Sequence, residues 1–245
     1  MECKRLAQAR YNAWSPMPED LPMIVVHHLE NSRSQRILWL LEELGVDYRV
    51  KRYERDKKSG LAPPELSEVH PLGKSPVITD GEHTVAESGA VVEYLVDRYD
   101  DGRLKPPEDT PERLAYTYWL HYSEGTFMPL MILSLVMRRI ESAPMPFFVR
   151  PVAKGIVSKV RDGYLDPNVE RNLAYMEASL ARSGWFCGER MTAADIQMSF
   201  AVEAAAVRTN LSAHYPQLAG FLERIRALPT YQSALEKGGP YQLLQ

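Results

Sequence analysis

Two kinds of hydrophobic pattern divide the chain. Residues 23–26 form a continuous apolar run, which is typical of a central strand buried on both faces. Apolar positions between residues 37 and 44 recur at helical spacing and stop at Gly45, a frequent end of a helix. Residues 48–53 then alternate between apolar and polar side chains, which indicates a second strand. Together these segments predict a βαβ unit.

A hairpin and a further helix follow this unit. Residues 77–86 contain an Asp80-Gly81 turn between two apolar alternating segments, which predicts two antiparallel strands. Pro76 heads the first of them, at a position where a strand needs no N–H for its ladder. Ser88 precedes an apolar run with helical spacing, so its hydroxyl is placed to cap that helix. The predicted order is therefore βαβ followed by ββα.

The second half of the chain has a helical pattern throughout. Candidate helices run over residues 112–140, 147–160, 168–182, 193–209 and 217–227, with a last short one from residue 231. The helix that begins at residue 193 carries a capping box, with Thr192 as the N-cap and Asp195 three residues later. We interpret Asp195 as a residue that stabilises the fold and not as a catalytic group.

These patterns predict an α/β domain followed by an all-helical domain. Residues 1–21 show no clear period and are interpreted as an N-terminal extension. The α/β domain is predicted over residues 22–104 and the helical domain over 112–245. Residues 105–111, with three prolines, predict a stiff linker between them.

Composition limits the classes of function. The net charge is −3, from 29 basic and 32 acidic residues, so nothing points to nucleic acid or an anionic membrane as a partner. Only two cysteines occur among 245 residues, which excludes a disulfide framework and a multi-cysteine metal site and suits a reducing cytosol. No apolar run is long enough to span a bilayer, and the N-terminus lacks the apolar core of a secretion signal. We therefore expect a cytoplasmic protein.

Adjacent histidines end the first predicted strand. His27 and His28 must point to opposite faces of that strand, which argues against a metal ion shared between them. We expect one ring to be hydrogen-bonded and the other to be solvated. No metal site is predicted elsewhere in the sequence.

Candidate chemistry is concentrated between residues 70 and 89. Ser-Pro bonds are usually trans, but a cis bond before Pro76 would leave the backbone of Ser75 as an open strand edge for an extended peptide. Close by lie the carboxylate of Glu87, the hydroxyl of Ser88 and the free amides of a helix N-terminus. These groups suit a short, peptide-like ligand that carries both an amine and a carboxylate.

The Gly-Lys-Ser-Pro stretch and the Ala-Glu-Ser stretch after it resemble the glutathione-binding half of a cytosolic glutathione S-transferase. The resemblance assigns Ser75 and Pro76 to the cysteinyl part of glutathione, Glu87 and Ser88 to the γ-glutamyl part, and Lys74 to the glycyl carboxylate. The order βαβ-ββα is similar to the thioredoxin-like domain of this family. The resemblance further implies a homodimer, with no cofactor beyond the co-substrate glutathione.

The same resemblance implies a hydroxyl or thiol that stabilises the glutathione thiolate near the first helix. The family uses Tyr, Ser or Cys there, and this chain offers no tyrosine or cysteine at that place. Ser32 is the first choice, because it precedes Arg36 by the family's interval, and Ser34 is the alternative. A role of Asn31 or Ser32 as a simple helix cap stays open. The pattern resembles the serine-type branch found in fungi and bacteria.

The function implied is the transfer of glutathione to apolar electrophiles, with peroxide reduction by the same thiolate as a second activity. Tyr116 and Trp119, in an aromatic and methionine-rich stripe, are candidates for the electrophile site, although such stripes more often form core. Two alternatives stay open: a non-catalytic binding or scaffold protein on the same fold, and a glutathione-dependent isomerase. The chain lacks the doubled serine and following cysteine typical of maleylacetoacetate isomerases. Ser32, Glu87 and Ser88 together favour an enzyme.

Overall fold

A mixed sheet forms the centre of the first half of the chain. The computed structural model describes residues 23–207 and 211–243, so the predicted extension over 1–21 lies outside the described residues. The four strands are ordered β2-β1-β3-β4, with β1 parallel to β2 and the other neighbours antiparallel. Their bounds are Ile24–Leu29 (β1), Tyr48–Tyr53 (β2), Val77–Asp80 (β3) and His83–Ala86 (β4). The predicted βαβ-ββα order is confirmed.

Three helices cover this sheet: Gln35–Leu44 (α1), Glu65–Val69 (α2) and Ser88–Tyr99 (α3). Helix α1 ends at Gly45, whose positive φ of 66° fits the predicted glycine stop. Helix α2 falls in a segment for which the sequence predicted no helix. Its Leu66 forms a small separate core with Leu29 and Tyr53, which are strand residues. A few apolar contacts with the sheet therefore hold this one-turn helix.

The second half is helical, as predicted. Its helices are Pro111–Tyr122 (α4), Met128–Ser142 (α5), Arg150–Val160 (α6), Asp166–Ser183 (α7), Ala193–Ala206 (α8), Leu211–His214 (α9), Pro216–Arg226 (α10) and Pro229–Gly238 (α11). Two π-helical turns, Ser123–Phe127 and Arg161–Leu165, join α4 to α5 and α6 to α7. None of the described helices is both long and apolar enough to cross a membrane.

Helix α8 is the central helix of this half, with every residue from 193 to 205 buried. The predicted capping box is present at its start. The Asp195 carboxylate accepts the backbone N–H groups of Thr192 and Phe186, each at 2.8 Å, and the Thr192 hydroxyl at 2.9 Å. Burial raises the pKa of Asp195 to about 6. These contacts support a structural role for Asp195.

Two local expectations are wrong. Ser88 is the first residue of α3 and not its N-cap, which is Glu87. Both histidines at the end of β1 are buried, because β1 is an inner strand of the sheet with its faces covered. The Nδ1 atom of His27 lies 2.9 Å from the Tyr53 hydroxyl, and that of His28 lies 2.9 Å from the Ser34 hydroxyl. Each ring is therefore hydrogen-bonded, and neither is solvated.

Candidate active site

A cavity of about 510 Å³ lies where the sheet half meets the helical half. The loop between β1 and α1 contributes its polar side, with Asn31, Ser32 and Arg33. Helices α5 and α8 contribute its apolar side, with Met128, Met131, Ile132, Leu135, Phe200 and Ala204. One wall can therefore hold polar groups while the opposite wall can hold an apolar molecule.

A smaller cavity of about 230 Å³ adjoins the first and shares Arg33, Leu72, Lys74, Ser75 and Ile132 with it. All the residues that the sequence assigned to glutathione line this smaller cavity: Lys74, Ser75, Pro76, Glu87 and Ser88. Segments before β3 and after β4 supply them, and the antiparallel pairing of these strands brings both segments to one end of the sheet. The structure therefore gathers the whole predicted set at one place.

The backbone at Ser75 forms an open edge. The peptide bond between Ser75 and Pro76 is cis. The Ser75 hydroxyl donates to the carbonyl of His27 at 2.9 Å and accepts the N–H of Leu29 at 3.4 Å, which fixes the segment against β1. Within residues 23–207 and 211–243, no hydrogen bond between backbone groups uses the N–H or the C=O of Ser75. Both groups are available to a peptide-like ligand.

Glu87 has an unusual backbone conformation, with φ at 74° and ψ at 128°. A non-glycine residue at such a φ costs about 1–3 kcal/mol and is often found at functional sites. Its carbonyl accepts the Val91 N–H at 2.9 Å, which begins the hydrogen bonding of α3, while its side chain is exposed beside the smaller cavity. In the described part of the chain, neither Glu87 nor Lys74 takes part in an ion pair. Both charges are free for a ligand.

Two arginines and a glutamate form a charged cluster that the sequence reasoning missed. Glu124, on the first π-helical turn, accepts a hydrogen bond from the buried Arg36, and its other oxygen lies 3.0 Å from Nε of Arg33. Arg36 also donates to the Gln197 carbonyl of α8 and lies 3.5 Å from the Ser88 hydroxyl. Arg36 therefore ties α1 to the helical half directly beneath the smaller cavity.

A sequence signal for Glu124 existed. The polar run Ser-Glu-Gly-Thr interrupts an otherwise aromatic and apolar helix, and it becomes a π-helical turn in the structure. Such turns are frequent at functional sites. Arg33 and Glu124 both line the smaller cavity.

The two candidate serines lie side by side. The Oγ atoms of Ser32 and Ser34 are 2.8 Å apart, and Ser32 Oγ also accepts the Ser34 N–H at 3.2 Å. Ser32 lines the larger cavity, whereas the fully buried Ser34 does not. Ser34 occupies the N-cap position of α1, but its side chain makes no capping hydrogen bond. The positions differ in their access to a ligand.

The structure does not bring Tyr116 and Trp119 to either cavity. Both are buried, and Trp119 packs against the rings of Tyr175 and Phe186, with centroids 5.3 and 4.6 Å away. Both residues lie on α4, and the π-helical turn Ser123–Phe127 separates α4 from α5. The apolar cavity wall begins at Met128, beyond that turn.

Comparison with known proteins agrees with this geometry. Residues 21–97 match the family model of the glutathione S-transferase N-terminal domain, and residues 143–229 match that of the C-terminal domain. The chain is 38% identical to Glutathione S-transferase 3 of Schizosaccharomyces pombe over 88% of each chain. A crystal structure of a glutathione S-transferase from Actinobacillus pleuropneumoniae superposes with a TM-score of 0.76 at 36% identity, covering 90% of this chain and 95% of that one.

A more distant structure shares the fold. It is the glutathione transferase URE2P8 from Phanerochaete chrysosporium, solved with oxidized glutathione, with a TM-score of 0.69, 19% identity, and coverage of 90% of this chain and 97% of that one. The two family models and the S. pombe relative together span both halves of the fold described above. The chain therefore belongs to the glutathione S-transferase family.

Proposed function

We propose that this protein binds glutathione in the smaller cavity as the thiolate and transfers it to an apolar electrophile held in the larger one. The observation that carries this proposal is the convergence of Lys74, Ser75, Pro76, Glu87 and Ser88 on one cavity that opens into a second, half-apolar cavity beside Ser32. The family membership of the chain supports the same activity.

Glutathione has groups that match the cavity one by one. The free N–H and C=O of Ser75 would pair with the cysteinyl backbone in the manner of an added strand. The Glu87 carboxylate would bind the γ-glutamyl ammonium group, while the Ser88 hydroxyl at the start of α3 would bind the γ-glutamyl carboxylate. Lys74 would reach the glycyl carboxylate. A ligand with one amine and two carboxylates uses all of these groups.

The chemistry requires glutathione to ionise. A free thiol has a pKa of about 8.5, and lowering it by about two units takes roughly 2.7 kcal/mol of preferential stabilisation of the thiolate. The Ser32 hydroxyl would donate a hydrogen bond to the sulfur, assisted by the N-terminal end of α1. The thiol proton leaves to water and Ser32 keeps its own. The sulfur then attacks the electrophilic carbon, a C–S bond forms, and the leaving group departs with its electron pair.

A protein thiol does not supply this chemistry in the described part of the chain. Cys187 is buried, and desolvation raises the pKa of its thiol to about 12, so it stays protonated at neutral pH. It also lies away from the two cavities. The nucleophile we propose is therefore the sulfur of glutathione itself.

The electrophile would lie against Met128, Met131, Ile132 and Phe200. Methionine side chains are flexible and polarisable, so such a wall suits apolar molecules of varied shape. The same thiolate would also reduce an organic peroxide: its sulfur takes one peroxide oxygen and releases an alcohol, and a second glutathione then displaces water to form oxidised glutathione.

We further propose that the protein works as a cytoplasmic homodimer.

Binding and turnover test this proposal separately. Calorimetry with glutathione at millimolar concentration should show binding, and a panel of apolar electrophiles should show conjugation at neutral pH. A protein that binds no glutathione would overturn the proposal. Binding without conjugation, peroxide reduction or isomerisation would instead favour the scaffold alternative. Light scattering that gives a monomer mass at micromolar concentration would contradict the homodimer.

A further inference from the structure

The charged side chains that line the larger cavity are all basic. They are Arg33, Arg55 and Lys74, and no Asp or Glu among residues 23–207 and 211–243 joins them. The opposite wall, from α5 and α8, is apolar. A molecule that fits both walls has an apolar body and a negatively charged group.

Two of these three cations have a counter-charge once glutathione is bound. Nε of Arg33 lies 3.0 Å from a carboxylate oxygen of Glu124. Under the proposed function, Lys74 binds the glycyl carboxylate of glutathione, and the γ-glutamyl carboxylate lies at the start of α3. Both carboxylates of glutathione are then used, and Arg55 is left without an anion.

Arg55 is held in place by contacts that leave its charge unpaired. It follows β2, its backbone N–H donates to Oε1 of Glu30 at 2.8 Å, and its Nη1 donates to the Gly60 carbonyl at 3.1 Å. In the part of the chain that the structure describes, its guanidinium forms no ion pair. A guanidinium has five N–H donors, so most of them remain available to a ligand.

The surroundings of Arg55 favour an anion. Burial lowers the pKa of Arg55, the Glu30 carboxylate opposes this effect, and the positive charges of Arg139 and Arg33 lower the pKa further. Arg139 lies on α5 one helical turn after Leu135, which lines the cavity. An anion bound at Arg55 would therefore relieve the repulsion among three arginines.

Building on the proposed function, we infer that the electrophile carries an anionic group such as a carboxylate, that Arg55 binds this group, and that the apolar body of the electrophile lies against α5. The planar guanidinium suits this role, because its paired N–H groups match the two oxygens of a carboxylate. Arg55 is then a residue that determines specificity, and the reacting carbon is held at the glutathione sulfur by groups at both ends of the molecule.

Two electrophiles that differ in charge but hardly in size provide the test. They are a chloronitrobenzoate and the matching chloronitrobenzamide, with the chlorine para to the carboxylate or amide and the nitro group beside the chlorine. In both, the glutathione sulfur attacks the carbon that bears chlorine, a C–S bond forms, and chloride leaves with its electron pair. Dividing each enzymatic rate by the uncatalysed rate with glutathione corrects for the different reactivity of the two rings.

Three variants complete the design. Arg55→Gln removes the charge, and Arg55→Lys keeps it. Arg49→Gln is the control, because it changes the net charge equally but lies at an exposed position of β2 and lines neither cavity. Thermal unfolding reports on the fold of each variant.

The wild type should have a lower KM and a higher corrected kcat/KM for the benzoate than for the benzamide. Arg55→Gln should raise KM for the benzoate about 10-fold, the equivalent of one charged hydrogen bond, and KM for the benzamide much less. Arg55→Lys should restore part of the preference, and Arg49→Gln should keep all of it. A wild type that does not prefer the benzoate, which needs no variant to establish, would overturn the inference. So would an Arg55→Gln variant in which both KM values rise equally.

Calorimetry separates the carboxylate of the electrophile from that of glutathione. Arg55→Gln should leave the dissociation constant of glutathione at its wild-type value. A rise for glutathione that is absent for its glycyl monoethyl ester would assign Arg55 to the glycyl carboxylate and overturn the inference. If the wild type binds no glutathione, the proposed function itself fails; if it binds glutathione and conjugates both compounds without preference, only the role of Arg55 fails.

Discussion

The hydroxyl oxygens of Ser32 and Ser34 lie 2.8 Å apart, yet only Ser32 lines the cavity. Ser34 is fully buried, and its hydroxyl also contacts His28 at 2.9 Å and the carbonyl of Leu29 at 3.4 Å. A ligand sulfur in the cavity can therefore meet Ser32 directly and Ser34 only through it. The two serines form one unit, and substitutions at either position should be coupled.

Ser32→Ala should raise the pKa of the bound glutathione thiol and lower conjugation at neutral pH, because the donor to the thiolate is lost. Activity should recover at higher pH, and glutathione affinity should change little, since the γ-glutamyl and backbone contacts remain. Ser34→Ala should move the pH profile in the same direction by a smaller amount. Thiolate absorbance against pH measures both. A larger shift for Ser34→Ala than for Ser32→Ala would mean that the donor is assigned to the wrong serine.

Glu87→Gln should weaken glutathione binding by about 10- to 150-fold, which corresponds to the 1.5–3 kcal/mol of a charged hydrogen bond. The fold should be unaffected, because Glu87 is exposed and has no ion pair in the described part of the chain. Glu82→Gln is a suitable control, since Glu82 is exposed in the β3–β4 turn and lines neither cavity. Calorimetry gives both dissociation constants. Equal values for the two variants would remove Glu87 from the binding site.

The free energy of unfolding should fall as the pH falls below 6.5, because His28 is buried and neutral in the folded protein. The pKa of His28 is lowered from 6.5 to about 4 in the folded state, so between these pH values the unfolded chain binds more protons than the native protein does. The contribution of neutral His28 to the free energy of unfolding is therefore present above pH 6.5 and is lost as the pH falls toward 4. The full loss is roughly 3 kcal/mol, at about 1.36 kcal/mol per pKa unit.

His28→Leu removes the group that takes up this proton. The variant should be less stable than wild type at neutral pH, because the substitution removes the contact with Ser34. Its free energy of unfolding should nevertheless fall less steeply between pH 6.5 and pH 4 than that of the wild type. Urea unfolding at several pH values measures the slope directly. The same slope in both proteins would show that His28 is protonated alike in the folded and unfolded states.

Local periodicity accounts for most of what the sequence predicted. Three predicted features each depend on residues within a few positions of one another: the order of elements βαβ-ββα, the Gly45 stop, and the capping box at Thr192 and Asp195. Short helix α2 was missed because a single turn held by Leu66 has no repeating pattern. Ser88 was placed one position too early in its helix, since a capping serine and a serine in the first turn look alike in sequence.

The candidate site was only partly predictable for a related reason. Residues of the glutathione set come from two short motifs, whose order and spacing are visible in the chain. The contact between Arg36 and Glu124 joins positions far apart in sequence. Tyr116 and Trp119 could be named only as candidates for the electrophile site, because spacing alone cannot show which face of a long helix points inward. In the structure Tyr116 and Trp119 are buried in the core, and of this helical segment, all of it described, only residues after the π-helical turn at 123–127 line the larger cavity.

The chain after α11 forms part of the larger cavity. The Tyr241 hydroxyl donates to the buried Glu203 of α8 at 2.8 Å, and the N–H of Gln242 donates to Oδ1 of Asn31 at 2.6 Å. Leu243 then lines the larger cavity and also a neighbouring cavity of about 460 Å³. The segment therefore acts as a partition between two cavities, held at one end by Glu203 and in its middle by the loop that carries Ser32.

Tyr241→Phe keeps the ring but removes the hydroxyl that holds this segment, and Leu243→Ala shortens the side chain that closes the wall. Both variants should raise KM for a small apolar electrophile several-fold, because each loses about 1 kcal/mol of hydrogen-bond or apolar contact energy at this wall. KM for glutathione should stay near the wild-type value. For bulky electrophiles KM should rise less, or fall, because a shortened or less firmly held side chain leaves more room for them. Tyr231→Phe is the control: its hydroxyl also donates to Glu203, but α11 holds it away from the larger cavity. Steady-state kinetics with electrophiles of graded size measures KM for the electrophile and KM for glutathione in each variant. If both KM values rose together in Tyr241→Phe, Leu243→Ala and Tyr231→Phe, the contacts to Glu203 would stabilise the fold without shaping the site.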